Sequence, residues 1–181
     1  KALLAGKHVL LEKPFTLTAA EAKELFAIAK QHHLFLMEAQ KSVFLPLTAL
    51  IKEVVESDEI GDILSVDSVT AYASVEHISW FKDLDAGGGT VHFMLPYALS
   101  YLQYIFGAKI TSFSGISDMV AGEADMQAKV LLKFDTGVLA NVFLTTKIGL
   151  DKVMTIQGTK GKLVIPEFWR AKKATLYDLS G

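Results

Sequence analysis

Apolar positions change their spacing along the chain, and each spacing predicts a different element. Ala2–Ala5 reads as the last turn of a helix, closed by Gly6 in the position a helix end favours. Val9, Leu10 and Leu11 form a short apolar run of the kind found in a buried parallel strand, stopped by Pro14. Thr18-Ala19-Ala20-Glu21 fits a capping box, with Thr18 as N-cap and Glu21 three residues on. Behind it Ala22, Leu25, Phe26 and Ala29 repeat at helical spacing as far as His32 and His33, and a strand, Leu34–Met37, follows. Residues 1–37 thus read helix, strand, helix, strand, which is the grammar of an α/β layer.

A further helix is expected from Leu47 to about Ser57, with Leu47, Leu50, Ile51, Val54 and Val55 along one side. After Ile60-Gly61 the period becomes two: Leu64, Val66, Ser68, Thr70 and Tyr72 alternate with Ser65, Asp67, Val69 and Ala71. A loop over Ser74–Ala86 leads through Gly87-Gly88-Gly89 to the most apolar helix, Thr90–Phe106. Pro96 lies inside that helix and is expected to kink it or split off its first turn. From Ile110 onward only strands are expected: Met126–Phe134, a hairpin turn at Asp135-Thr136-Gly137, Val138–Thr146, Val153–Gln157, Leu163–Ile165 and Thr175–Leu179. The expected class is α/β of the α+β kind, with a large, mainly antiparallel open sheet and helices on one face.

The strand Val138–Thr146 is apolar on both sides, with Val138, Ala140, Val142 and Leu144 facing one way and Leu139 and Phe143 the other. If helices cover one face, the second must meet something else, and a sheet-to-sheet contact between subunits is the economical answer. Composition agrees: 51% of the 181 residues are hydrophobic and the mean hydropathy is +0.34, yet no apolar run reaches the length of a membrane span. The 18 basic and 20 acidic residues are well mixed, so no basic stripe argues for nucleic acid. The absence of cysteine excludes disulfides and thiol catalysis and fits a reducing cytoplasm, the location expected here. The opening KALLAGKHVLLEKP reads as the middle of something longer.

Several residues carry chemistry. Lys13 stands where a parallel strand is expected to end, flanked by Glu12 and Pro14; it either orients a substrate hydroxyl during hydride transfer or is an ordinary surface lysine. Tyr97 lies four residues after Phe93 on one helix face and is a proton donor or a packed aromatic with a tethered hydroxyl. His92, on the same helix, is structural or substrate-binding. Trp80 and Phe81 form an apolar wall against a sugar ring or a small core of their own. The glycine triplet is a weak phosphate signal, since no Lys-Ser/Thr follows, and fits better as a flexible start to the helix. His32, His33 and His77 lack companions at metal-ligand spacing, so no metal is expected.

GKHVLLEKP, the helix after it and Phe35-Leu36-Met37-Glu38-Ala39 resemble the Gfo/Idh/MocA oxidoreductases, in the branch with dihydrodiol dehydrogenases. The similarity runs through Phe44-Leu45-Pro46, Ile60-Gly61, Trp80-Phe81 and the Gly87–Gly107 segment into the sheet. It implies residues 1–14 as the last edge of an NAD(P)-binding Rossmann domain. Residues 15–181 would then be a glyceraldehyde-3-phosphate dehydrogenase-like C-terminal domain that binds substrate and dimerises through its open sheet. Both ends of the chain would be incomplete, for no G-x-G-x-x-G is present and family chains continue past the region matching Ala174–Gly181. Lys13 and Tyr97 match the family's catalytic pair, Glu12, Lys13 and Pro14 border the NAD or NADP, and Trp80, His92, Phe93 and Tyr97 face a sugar, polyol or dihydrodiol-like substrate. The sequence departs from the pattern where Phe93 replaces an Asp, Leu95 a glycine and Val43 an arginine.

Two functions follow. One is hydride transfer between NAD(P) and a hydroxyl or carbonyl group, the 181-residue chain alone being inactive. The other is a nucleotide- or sugar-sensing homologue that lost its chemistry, which Phe93 favours.

Overall fold

The computed structural model describes residues 1–179. It divides into two compact units, one ending at Gln40 and one beginning at Lys41.

The first unit is built as a strand, a helix and a second strand. A single 3-10 turn, Leu3–Ala5, ends at Gly6, whose φ of 71° lets its amide donate back to the Leu3 carbonyl at 2.9 Å. Strand β1 (Val9–Glu12) and strand β2 (Leu36–Ala39) pair in parallel, Val9 opposite Leu36 and Glu12 opposite Ala39. Parallel neighbours need a crossover, and helix α1 (Ala19–Gln31) supplies it. The capping box read from the sequence is present: the Glu21 amide donates to Thr18 Oγ1 at 3.2 Å, and the Thr18 amide donates to Glu21 Oε2 at 2.9 Å. Because β1, α1 and β2 form one βαβ unit, this unit runs through Gln40, well past the boundary at residue 14 expected from the sequence. The second strand also lies later than expected, at Leu36–Ala39. His33 takes a left-handed φ of 53° after α1, so the chain needs two more residues before it is extended. β1 is parallel as expected but not buried: Leu10 is 67% exposed.

Among the described residues the second unit carries helix α2 (Pro46–Glu56), helix α3 (Thr90–Phe106) and seven strands: β3 (Ile63–Ala71), β4 (Ile110–Ser117), β5 (Gln127–Phe134), β6 (Leu139–Thr145), β7 (Val153–Gly158), β8 (Gly161–Pro166) and β9 (Thr175–Asp178). Their order in the sheet is β4-β5-β6-β3-β7-β8-β9. β3 and β6 run parallel, and every other neighbouring pair is antiparallel. Positions 180 and 181 of the expected C-terminal domain lie outside the described residues.

Alternation decides which face is covered. Val66 on β3, Val142 and Leu144 on β6, Met154 and Ile156 on β7 and Ile165 on β8 are fully buried, in one cluster with Met94, Ala98, Tyr101, Leu102 and Ile105 of α3. Burying Leu102 and Ile105 contributes about 1.5–3 kcal/mol each. Burial also pushes the Tyr101 hydroxyl up to about 12. Pro96 does not split α3, which is one helix from Thr90 to Phe106. Gly137, at φ 91°, makes the β5–β6 turn as read from the sequence.

The opposite face is open and mixed. Leu131 and Leu139 are more than half exposed, and the Lys129 ammonium lies 5.1 Å from the Phe143 ring centre. Across β6, β3 and β7 the Asp67 carboxylate accepts from the Asn141 amide at 3.3 Å and the Gln157 amide at 3.0 Å.

Candidate active site

In the first unit the chemistry collects just past β1. Lys13 and Pro14 follow Glu12 at the carboxyl end of a parallel strand, joined by a cis peptide bond, and Lys13 is half-buried. Ligands in α/β sheets are held at such strand ends. The segment is pinned by its own backbone: the Lys13 amide donates to Glu12 Oε2 at 3.2 Å and the Phe15 amide to Glu38 Oε1 at 3.1 Å. Glu38, on β2, also accepts from Gln40 Nε2 at 2.7 Å. The Phe15 ring stands edge-on to Phe26 of α1, 5.6 Å between centres. Sequence reasoning gave Glu38 no role, since its partner lies 23 residues away and only strand pairing brings the two together.

In the second unit the candidates collect on the N-terminal half of α3. Phe93 packs edge-to-face against Trp80 at 5.5 Å and against Phe81 at 5.6 Å. Phe81 is wholly buried and belongs to the core, while Trp80 stays 40% exposed. Tyr97, one turn further on, is half-buried against the same core. His92 is half-buried, and its Nε2 is shielded from solvent without a hydrogen-bond partner.

The glycine triplet is not a flexible segment. All three residues are buried, and the amides of Gly87, Gly88 and Gly89 donate to the carbonyls of Leu84, Asp83 and Phe81. A Cβ on Gly88 would sit 2.2 Å from the Phe81 carbonyl oxygen. Gly89, at φ 98°, faces Asp125, whose Oδ2 accepts from the Thr90 and Val91 amides at 3.1 Å each and from the Thr90 hydroxyl. The donors a phosphate would use are therefore already taken. Asp125 was invisible in the sequence, because an N-cap is sought next to its helix and this one comes from 35 residues away.

A second polar cluster sits at the ends of β3 and β8. Lys152 Nζ lies 4.5 Å from the Tyr72 ring centre and 3.4 Å from Glu167 Oε1, which Arg170 also holds at 2.5 Å. The Arg170 guanidinium keeps Glu167 below the usual carboxylate range, and burial raises Tyr72. Among the described residues no group of three His, Asp or Glu side chains is arranged to hold a metal. No helix there is long and apolar enough to cross a membrane.

Residues 48–164 match the model of the GFO/IDH/MocA C-terminal domain, and residues 1–40 match that of the oxidoreductase family with an NAD-binding Rossmann fold. The chain belongs to the Gfo/Idh/MocA family. Among its relatives, the trans-1,2-dihydrobenzene-1,2-diol dehydrogenase of Mus musculus is 32% identical over 168 residues, covering 92% of this chain and 50% of the relative. The enzyme of the same name from Sus scrofa is 30% identical over 160 residues, 88% of this chain and 48% of its own. The chain thus spans about half the length of the relatives it matches. Among solved structures, an inositol dehydrogenase homolog from Azotobacter vinelandii, complexed with NADH and myo-inositol, superposes with a TM-score of 0.86 at 17% identity, over 99% of this chain and 49% of that one. The aldose-aldose oxidoreductase of Caulobacter crescentus, complexed with glycerol, gives 0.85 at 21% identity, over 97% and 54%. These Gfo/Idh/MocA structures share the fold read from the alternating pattern: a large, mostly antiparallel sheet with few helices.

The residues present fit one edge of a nicotinamide nucleotide site. β1, α1 and β2 form the parallel βαβ unit such a site uses, and Glu12, Lys13 and Pro14 stand at its strand end. The chain holds no glycine-rich G-x-G-x-x-G turn for a pyrophosphate.

Proposed function

We propose that the full-length protein is an NAD(P)-dependent dehydrogenase acting on a hydroxyl or carbonyl of a small cyclic diol, polyol or sugar. The observation that carries this reading is Lys13, held at the carboxyl end of β1 in a parallel βαβ unit that matches the family's NAD-binding domain. The chemistry that NAD or NADP would supply when bound is hydride transfer. Glu12, Lys13 and Pro14 would border the cofactor, the Lys13 amine is assigned to the proton of the substrate oxygen, and the Tyr97 hydroxyl is the second candidate for handling that proton. When an alcohol is oxidised, its carbon loses a hydride and its oxygen a proton, which a neutral Lys13 amine would accept to become the ammonium. Trp80 and Phe93 present an apolar wall on the Tyr97 helix face, with His92 beside them, which favours a substrate with one apolar ring face. The dihydrodiol dehydrogenase relatives support that preference over a fully hydroxylated sugar.

The open sheet face, with Leu131, Leu139 and Phe143 on it, is assigned to subunit pairing, and the location to the cytoplasm. Sedimentation as a strict monomer would count against the pairing. The competing reading, a nucleotide- or sugar-sensing homologue, draws on Phe93, which puts a hydrocarbon ring where the family pattern has a carboxylate.

The test is a panel of cyclic diols, polyols and sugars incubated with full-length protein and NAD(P)+, followed by cofactor absorbance, with Lys13→Ala as control. Turnover of a diol that the control loses supports the dehydrogenase. Tight cofactor binding with no turnover on any member supports the sensor.

A further inference from the structure

Helix α3 carries Phe93 and Tyr97, yet it has little of its own to hold its first turn. Its N-cap is Gly89, which has no side chain, and no acidic residue lies in its first turn. Four amides at a helix start lack internal partners. Two of them, from Thr90 and Val91, donate to one oxygen of Asp125 at 3.1 Å, joined by the Thr90 hydroxyl. The Asp125 backbone carbonyl accepts from the Thr90 amide as well, at 3.0 Å. Asp125 is 6% exposed, so these bonds are sheltered from water.

Pro96 makes this clamp matter beyond its own turn. Proline has no N–H, so the His92 carbonyl loses the bond that residue 96 would return, and the first turn is tied less firmly to the rest of α3. Ser100 Oγ donates to the Pro96 carbonyl at 2.8 Å, reinforcing the helix after the proline but not before it. The orientation of the face bearing Phe93 is thus set from two sides: by Asp125 at the helix start, and by Trp80 and Phe81 against the Phe93 ring. The loop that presents Asp125 is itself anchored, since Asp118 Oδ1 accepts from the Met126 and Gln127 amides at 2.9 Å each.

We propose that Asp125 is a positioning residue, whose carboxylate fixes the first turn of α3 and through it the placement of Phe93 beside Trp80 for reaction. The proposal rests on the dehydrogenase reading for its catalytic consequence. Its structural consequence is independent of that reading.

The experiment compares full-length wild type with Asp125→Asn, Asp125→Ala, Thr90→Val and Thr90→Ser, measuring kcat and KM separately together with thermal stability. Misplacement of a reacting group is expected to lower kcat by about tenfold or more in Asp125→Ala while KM stays within about twofold. Thr90→Val should fall in the same direction by less, and Thr90→Ser, which keeps the hydroxyl, should restore kcat. A melting temperature that drops with kcat unchanged in Asp125→Asn and Thr90→Val would overturn the proposal, also if Asp125→Ala fails to fold. The Trp80 contribution to the emission, taken as the difference from a matched Trp80→Phe background, reports the Phe93 face without any turnover. It should shift in Asp125→Asn, and an unchanged spectrum overturns the proposal even if the wild type turns over no alcohol. Absence of turnover in the wild type, with that shift present, refutes the dehydrogenase reading alone.

Discussion

Replacing Phe93 by Asp restores the family's carboxylate and separates the two functional readings, because the structure says what the aromatic ring does now. Phe93 makes edge-to-face contacts with Trp80 and Phe81 at 5.5 and 5.6 Å. Each such pair contributes about 0.5–1.5 kcal/mol beyond area burial. Truncating a ring that is only half-buried costs less than the roughly 3–5 kcal/mol of a full-core Phe→Ala change. A new carboxylate in the second turn recovers under about 1 kcal/mol from the helix dipole. That gain is offset by the Asp125 carboxylate already at the helix start. The net expectation is a loss of about 2–3 kcal/mol, read as a lower Tm. Calorimetry on the full-length pair measures it. Turnover should not rise, since the dehydrogenase reading has Phe93 as part of a working apolar wall. Unchanged stability would mean the three-ring cluster does not hold the helix. A gain in turnover would mean that the natural protein is the depleted sensor.

Other consequences are local. Gly88→Ala should lower Tm markedly, because its Cβ would stand 2.2 Å from the Phe81 carbonyl oxygen and the buried loop must move; a melting curve like wild type would refute the close packing. Thr18→Ala should destabilise α1 by about 1 kcal/mol through loss of its capping box, measured by denaturant midpoint. For Asp118, burial raises the carboxyl, but Lys147 and the amides of Met126 and Gln127 outweigh it and hold it below the ordinary range. Its folded value lies below its unfolded one, so its stabilisation is complete above the ordinary carboxylate range and fades as pH falls toward the folded value. Stability measured against pH should therefore decline less steeply on the acid side in Asp118→Asn, and an unchanged acid limb would remove Asp118 from the account.

Local features were the legible ones. The Thr18 capping box, the α3 limits at Thr90 and Phe106, and the Gly137 turn each depend on residues within a few positions of one another, and the structure has them where the pattern put them. The period-two runs gave the covered face correctly, because burial on one side writes itself into every second residue. The misses were non-local. The parallel contact of β3 with β6 joins residues more than seventy apart, and no spacing rule reports it. β2 begins two residues late because His33 adopts a left-handed backbone that its residue type does not demand. The glycine triplet looked flexible in isolation, and its rigidity comes from contacts with Phe81, Asp83 and Asp125. Of the candidate site, Lys13 and Tyr97 were named through the family pattern, while Glu38 and Asp125, which hold the flanking backbone, became visible only once strands and loops were folded together.

The proposed role of Lys13 is to serve hydride transfer between a nicotinamide cofactor and a carbinol carbon. The most direct measurement follows that hydrogen: full-length protein with NAD(P)+ and a trans-dihydrodiol deuterated at its carbinol carbons, the reduced cofactor being analysed for deuterium. One deuterium per reduced nicotinamide is expected in the wild type, with the rate of transfer lowered by about two orders of magnitude or more in Lys13→Ala. Cofactor that binds and never acquires the label, or label that transfers equally well without Lys13, would contradict it.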